Sequence, residues 1–213
     1  VSATRVAAEA GFPDIAWRLA VVLRAIYMHH NAFDAWDTTA RIGVNAARVS
    51  GEDIGQAEAL DNLGKVAFQA LRLEEAEECH RGALAIRRRI GDRHGTAVSI
   101  NALGLLGLRR RLLYQAESHF TEAAGIFRDL GDRRWTALVR SNLAEALCEL
   151  GRAEEARTMI EHALADFREL QDHAGEGNAL WLLSWARRES GDPQAAARAI
   201  SDALSIAAAE DNQ

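Results

Sequence analysis

The chain has 213 residues, 48% of them apolar, and a formal net charge of −6. A surface of that sign repels a phosphate backbone, and the arginines come in short clusters rather than one stripe, which argues against direct nucleic-acid binding. No apolar run approaches the roughly 20 residues needed to span a bilayer, so no membrane association is expected, and two cysteines without the spacing of a disulfide framework make a reducing, cytoplasmic setting the natural reading.

The chain opens at Val1 in mid-pattern, and residues 1–10 read as the tail of a helix from a repeat that begins further upstream. They end at Gly11, which is in register with Gly51 and Gly91. From Gly11 onward the sequence falls into blocks of forty without gaps: 11–50, 51–90, 91–130, 131–170 and 171–213. Block one is divergent, with Trp36 where later blocks have alanine. Trp17 and Trp36 stand in columns of small residues and are expected in the core.

Block two shows the pattern most clearly. Ile54, Ala57, Leu60, Leu63, Gly64 and Ala67 recur at steps of three and four, the period of a one-sided helix over about 54–70. After a break at Leu71 to Leu73, a second helix over about 74–90 carries Ala76, Cys79, His80, Ala83 and Leu84 on one stripe. Blocks three and four repeat the pair. Ala76, Ala116, Ala156 and Ala196 share a column, and so do Ala83, Ala123, Ala163 and Ala203. Small side chains there let paired helices approach closely, while Leu84, Leu164 and Leu204 fill the space toward the next pair. Between blocks stand "GDRHG" and "GDRRW". Glycine closes one helix in a left-handed conformation, and the aspartates Asp92, Asp132 and Asp172 cap the next. Block five writes the same grammar between its two helices as Gly191-Asp192-Pro193.

The resulting fold class is all-α, a right-handed α-α superhelix of about five helical hairpins in one solenoid domain. Leu63-Gly64, then Ala76, then Ala83 resemble the tetratricopeptide repeat, and the forty-residue spacing with "GDR.G" between units is similar to the longer variant of kinesin light chains and cell-polarity adaptors. The opening stretch, "VSATRVAAEAGFPD" with "AWRLAVVLRAIYMHHNAFDAW", resembles the segment that begins the C-terminal repeat region of large actinobacterial STAND regulators, including those with SARP-type DNA-binding domains. That second resemblance implies a sensing module of a multidomain transcriptional regulator, with the nucleotide-binding domain of the parent chain as one partner. A stand-alone peptide-binding adaptor is the alternative. No G-x-x-x-x-G-K-[ST] loop occurs.

No catalytic constellation, cofactor or metal site is expected. The seven histidines are scattered, His80 lies in a core column with Phe120, Ile160 and Ile200, and neither Cys79 nor Cys148 has an activating base. The clusters Arg87 to Arg89 and Arg109 to Arg111 fall near helix C-termini, where a solvated face suits the helix dipole.

In the tetratricopeptide family the first helix of each hairpin lines the concave groove. The resemblance therefore points to Glu58, Asp61, Asn62, Lys65 and Gln69 in block two, Asn101 and Arg109 in block three, and Asn142 and Glu145 in block four. The partner would be a protein or an extended peptide. An asparagine presents a donor and an acceptor together and can hold a peptide backbone, or it can bond locally to a neighbouring helix. Trp181 and Trp185, four apart on one helix face, either form a ligand platform or pack against a further repeat.

Overall fold

The computed structural model describes residues 1–210, so the last three residues of the fifth block lie outside it. Among the described residues twelve helices succeed one another: α1 (Ser2–Glu9), α2 (Pro13–Val22), α3 (Arg24–His29), α4 (Phe33–Ser50), α5 (Asp53–Gln69), α6 (Leu73–Arg89), α7 (Arg93–Arg109), α8 (Leu113–Asp129), α9 (Arg133–Glu149), α10 (Ala153–Glu169), α11 (His173–Glu189) and α12 (Pro193–Glu210). No strand occurs among the described residues.

The turns explain this spacing. At the end of α6 the Gly91 amide donates to Arg88 O and the Asp92 amide to Arg87 O, while Gly91 turns left-handed at φ 75°. Such closure satisfies carbonyls that the helix itself leaves unpaired. The aspartates after each turn then cap: Asp92 Oδ1 accepts from the Gly95 amide at 2.8 Å, Asp132 from Trp135 at 3.0 Å and Asp172 from Gly175 at 3.0 Å. Asp192 does the same for Ala195 inside block five, at 2.9 Å.

Left-handed residues recur more often than the forty-residue spacing suggests. They stand at every twentieth position from Gly11 to Gly191, but Asn31, Leu71, Arg111 and Gln171 take that conformation without being glycine. At these four the turn has no glycine to mark its left-handed residue, a conformation sterically disfavoured for a side chain.

The chain divides into two compact units, the first over residues 1–106 and the second from residue 107 onward. In the first, the hairpin helix of block one is broken at Leu23 into α2 and α3, and together they pair with α4. The helix over residues 2–9 packs on α2 and α4, burying Thr4 and placing Ala7 and Ala8 against Ala16, Trp17, Ala46 and Ala47. Trp36 is fully buried against Ala40, Leu63, Val66 and Cys79. The next hairpin pairs α5 with α6 so closely that a Cβ on Gly64 would lie 2.7 Å from the His80 ring. Ile54, expected on the apolar stripe, is exposed at the first turn of α5.

In the second unit α9 pairs with α10 and α11 with α12, and α11 also packs on α9 and α10. Ala144, Leu147, Ala156, Ile160, Ala163, Leu164 and Phe167 form one core with Ala179, Leu180 and Leu183. Ala156 is wholly buried, so Ala156→Leu is expected to lower the unfolding free energy by about 1–3 kcal/mol through overpacking, read as a shift in the urea midpoint. Ile200, expected in the core with Ile160, is instead exposed, as is Leu204.

Candidate functional site

The expected groove residues separate into buried and surface sets, and the separation cuts across columns: Asn62 is buried where Asn142 is partly exposed, and Asp61 is buried where Trp181 is exposed. Asp61, Asn101 and Ser141 occupy one column and are all buried, as is Asn62 at 0% exposure. Positions expected to face a ligand are therefore interior. Glu58, Lys65, Asn142, Glu145 and Trp185 are partly exposed, while Gln69, Arg109 and Trp181 are exposed.

Asn62 belongs to the packing of the first hairpins. Its Oδ1 accepts from Trp36 Nε1 at 2.8 Å, and its Nδ2 donates to Ala20 O at 3.0 Å. Both ends of the amide are thus spent inside the fold. As a peptide clamp Asn62 is corrected, and the physical reason is the indole of Trp36, which needs a buried acceptor. Asn101, only 6% exposed, is likewise removed from the expected ligand wall.

Asp61 is the centre of an ionic cluster that spans α5, α6 and the start of α7. Lys65 Nζ lies 2.5 Å from its Oδ2, while His80 Nδ1 at 3.3 Å and Arg87 Nη1 at 3.8 Å face its Oδ1. The His80 contact is an ion-pair distance without hydrogen-bond alignment. Arg87, read from sequence as part of a solvated cluster, is 2% exposed. Its Nη2 donates to Glu58 Oε1 at 2.6 Å, and its Nη1 donates to Ser99 Oγ at 2.8 Å and Gly95 O at 3.2 Å. The signal for its burial was present: its column holds Phe127 and Phe167, both core. The cationic column neighbour of two core phenylalanines was hidden by the arginines next to it, Arg88 and Arg89, which are both exposed.

Burial alone would raise the Asp61 carboxyl, but the His80 interaction and the charges of Lys65, His80 and Arg87 override it and hold the group well below the usual carboxylate range. A depressed acid contributes stability that is present above its unfolded value, near 3.9, and lost as pH falls toward the folded value. Thermal stability is therefore expected to drop as the pH is lowered from about 5 toward 2, and Asp61→Asn should flatten that slope. An unchanged slope in the variant would remove Asp61 as its source.

In the second unit, α9 presents Asn142, Glu145 and Glu149, and α11 presents Trp181 and Trp185, whose ring centroids are 6.1 Å apart. Burial and the neighbouring Glu149 raise the Glu145 carboxyl, against the opposing charge of Arg109. Arg111 pairs with Glu149. Trp185 packs against the hairpin core, whereas Trp181 is half exposed and borders an apolar cleft of about 330 Å³ with Ile200 and Leu204. Trp135 sits in the first turn of α9 and stacks on Phe127, 5.0 Å between centroids.

Burial pushes the Cys79 and Cys148 thiols up to about 11, which leaves them protonated and poorly nucleophilic at neutral pH. Among the described residues no three histidine, cysteine or acidic side chains gather as a metal site, and no helix is long and apolar enough to cross a membrane.

Forty-residue helical hairpins with buried small-residue columns define a helical-repeat protein. A tetratricopeptide repeat model matches residues 55–129, 108–169 and 135–209, and the chain belongs to that family. No curated protein matches it by sequence. Among solved structures, BtubC from P. vanneervenii is similar over 100% of this chain and 88% of its own, with 21% identity and a TM-score of 0.80. A Rap protein complexed with competence and sporulation factor is 16% identical over 90% of this chain and 54% of its own, with a TM-score of 0.82. A STAND protein with a tetratricopeptide repeat sensor from Pyrococcus horikoshii is 14% identical over 87% of this chain and 32% of its own, with a TM-score of 0.69. These likenesses establish an all-α superhelical-repeat fold, and none of the family matches indicates an enzyme.

Proposed function

We propose that the chain is a non-catalytic interaction module that holds an extended peptide or protein segment against the partly exposed faces of its first helices, and that it serves as the regulatory region of a multidomain transcriptional regulator. The observation that carries the binding reading is the Trp181–Trp185 pair on α11, beside Asn142 and the half-buried Glu145 of the adjoining α9. Rigid aromatic surface supplies contact area at low entropic cost, and polar groups around it fix orientation. The Rap structure, solved with a bound factor, and the STAND structure, with its repeat sensor, support a sensing role for this fold. A nucleotide-binding domain in the same parent chain is then a second partner, in a cytoplasmic setting.

The two tryptophans separate two modes of binding. Trp185 shares its column with Lys65, Leu105 and Glu145, all partly exposed, and belongs to the ligand wall. Trp181 shares its column with three buried residues, a place that within the array is covered by a neighbouring helix. Trp185→Ala is expected to weaken capture of an extended peptide about tenfold or more, on the scale of an aromatic hot spot. Trp181→Ala should instead weaken packing of a helix into the α11–α12 cleft. Calorimetric affinity of each variant for a partner recovered by pull-down, set beside its Tm, checks both. Equal loss of Tm and affinity in Trp185→Ala would make the residue structural. The gene sequence upstream tests the regulator reading, for which a P-loop domain is expected and a stand-alone adaptor has none.

A further inference from the structure

Three core columns turn ionic together in block two. Asp61 stands where later blocks have Asn101, Ser141 and Trp181; His80 where they have Phe120, Ile160 and Ile200; and Arg87 where they have Phe127, Phe167 and Ala207. Columns that accept isoleucine or phenylalanine have no steric need for charge, and buried ion clusters are a poor route to stability. Their recurring use is to define or bias one arrangement among alternatives.

Two members of the cluster reach the surface. Lys65 and Glu58 have side chains 33% and 37% exposed, whereas Asp61, His80 and Arg87 are 2% exposed. Lys65 compensates Asp61, and Glu58 compensates Arg87. Arg87 in turn holds α7, through Ser99 Oγ and Gly95 O, with the α7 cap Asp92 3.8 Å from its Nε. The titratable and charged groups around Asp61 are therefore Lys65 and Glu58 on its own helix, His80 and Arg87 on α6, and Asp92 at the start of α7.

We propose that this cluster is a relay from the α5 face to the seat of α7: an anionic group on a bound partner draws Lys65 away from Asp61, and the under-compensated core releases the first turns of α7. The ammonium has three donors and the Asp61 carboxylate occupies one side of it, so a partner's carboxylate or phosphate can compete for it directly. Release of α7 would loosen its seat on the α5–α6 hairpin, which is how a bistable packing element reports occupancy. The proposal rests on the reading that the α5 face receives a partner, but its test needs none.

Lys65→Met and Glu58→Gln remove the surface partners of the relay without touching the buried groups, and Gln69→Ala on the same helix serves as control. Amide hydrogen exchange across residues 93–106 of the full chain is expected to quicken about tenfold in Lys65→Met and Glu58→Gln, a modest local opening, and to stay near wild type in Lys65→Arg and Gln69→Ala. In the background D61S/H80I/R87F, which copies the block-four side chains, Lys65→Met should no longer affect exchange. Unchanged exchange over 93–106 in Lys65→Met, or equal acceleration in Lys65→Arg, would overturn the relay, and so would the same acceleration in the apolar background. Because no ligand enters the experiment, its failure is distinguishable from failure of the peptide-binding reading.

Discussion

Arg87→Ala is expected to lower the unfolding free energy by about 3–5 kcal/mol, a large share of the roughly 5–15 kcal/mol that holds an ordinary domain together. The guanidinium is enclosed and contributes to five contacts at once: Glu58, Ser99, Gly95 O, Asp61 and Asp92. Its removal leaves the Asp61 carboxylate with Lys65 and His80 alone, and leaves Ser99 without its donor. Arg87 offers a second outcome that separates ionic need from packing need. Phe167 fills the equivalent column in block four, where the facing residue is Gly175, just as Gly95 faces Arg87. The triple change D61S/H80I/R87F should therefore be neutral or stabilising, by up to about 4 kcal/mol, because it exchanges a desolvated ion cluster for an apolar core of proven shape. Urea unfolding of both variants measures this. A loss below about 1 kcal/mol for Arg87→Ala would show that the cluster is hydrated and that its charges do not depend on one another.

The fold was legible because the structural demands of a hairpin repeat are written in residue types that tolerate few substitutes. Alanine is required where two helices touch, glycine where α5 meets the His80 ring, and aspartate where a helix begins, and each recurs at forty residues. Where a demand can be met by several residue types, legibility ends. Leu71 and Arg111 take left-handed turns that glycine takes elsewhere, and nothing in their type announces it. The site was less legible for a related reason. Helix periodicity locates a stripe but does not reveal how wide it is. In α5 burial extends through Asp61, Asn62, Leu63 and Gly64 in succession, so polar residues flanking the apolar stripe are interior too. They are tolerated there because each has a buried partner, which lies in another helix and leaves no trace in local spacing. Lys65, Glu145 and Trp185, one helical turn further on, are where the partly exposed wall begins.

The pairing of Trp36 with Asn62 carries the last expectation. A buried indole N–H without an acceptor costs about 1–3 kcal/mol, and a buried amide oxygen without a donor costs a similar amount. Asn62→Leu leaves both Trp36 Nε1 and Ala20 O without the partners they have at 2.8 and 3.0 Å. A loss of about 2–5 kcal/mol is expected, far above the effect of a surface asparagine. Trp36→Phe removes the donor instead, leaves Asn62 Oδ1 unpaired, and opens space in a site that excludes solvent completely. In the double variant W36F/N62L neither half of the lost hydrogen bond remains to be satisfied, although Ala20 O still lacks its donor. The double-mutant cycle should show a coupling of about 1–2 kcal/mol, with the combined loss smaller than the sum of the two single losses. Strict additivity would mean that the two side chains stabilise their hairpins separately.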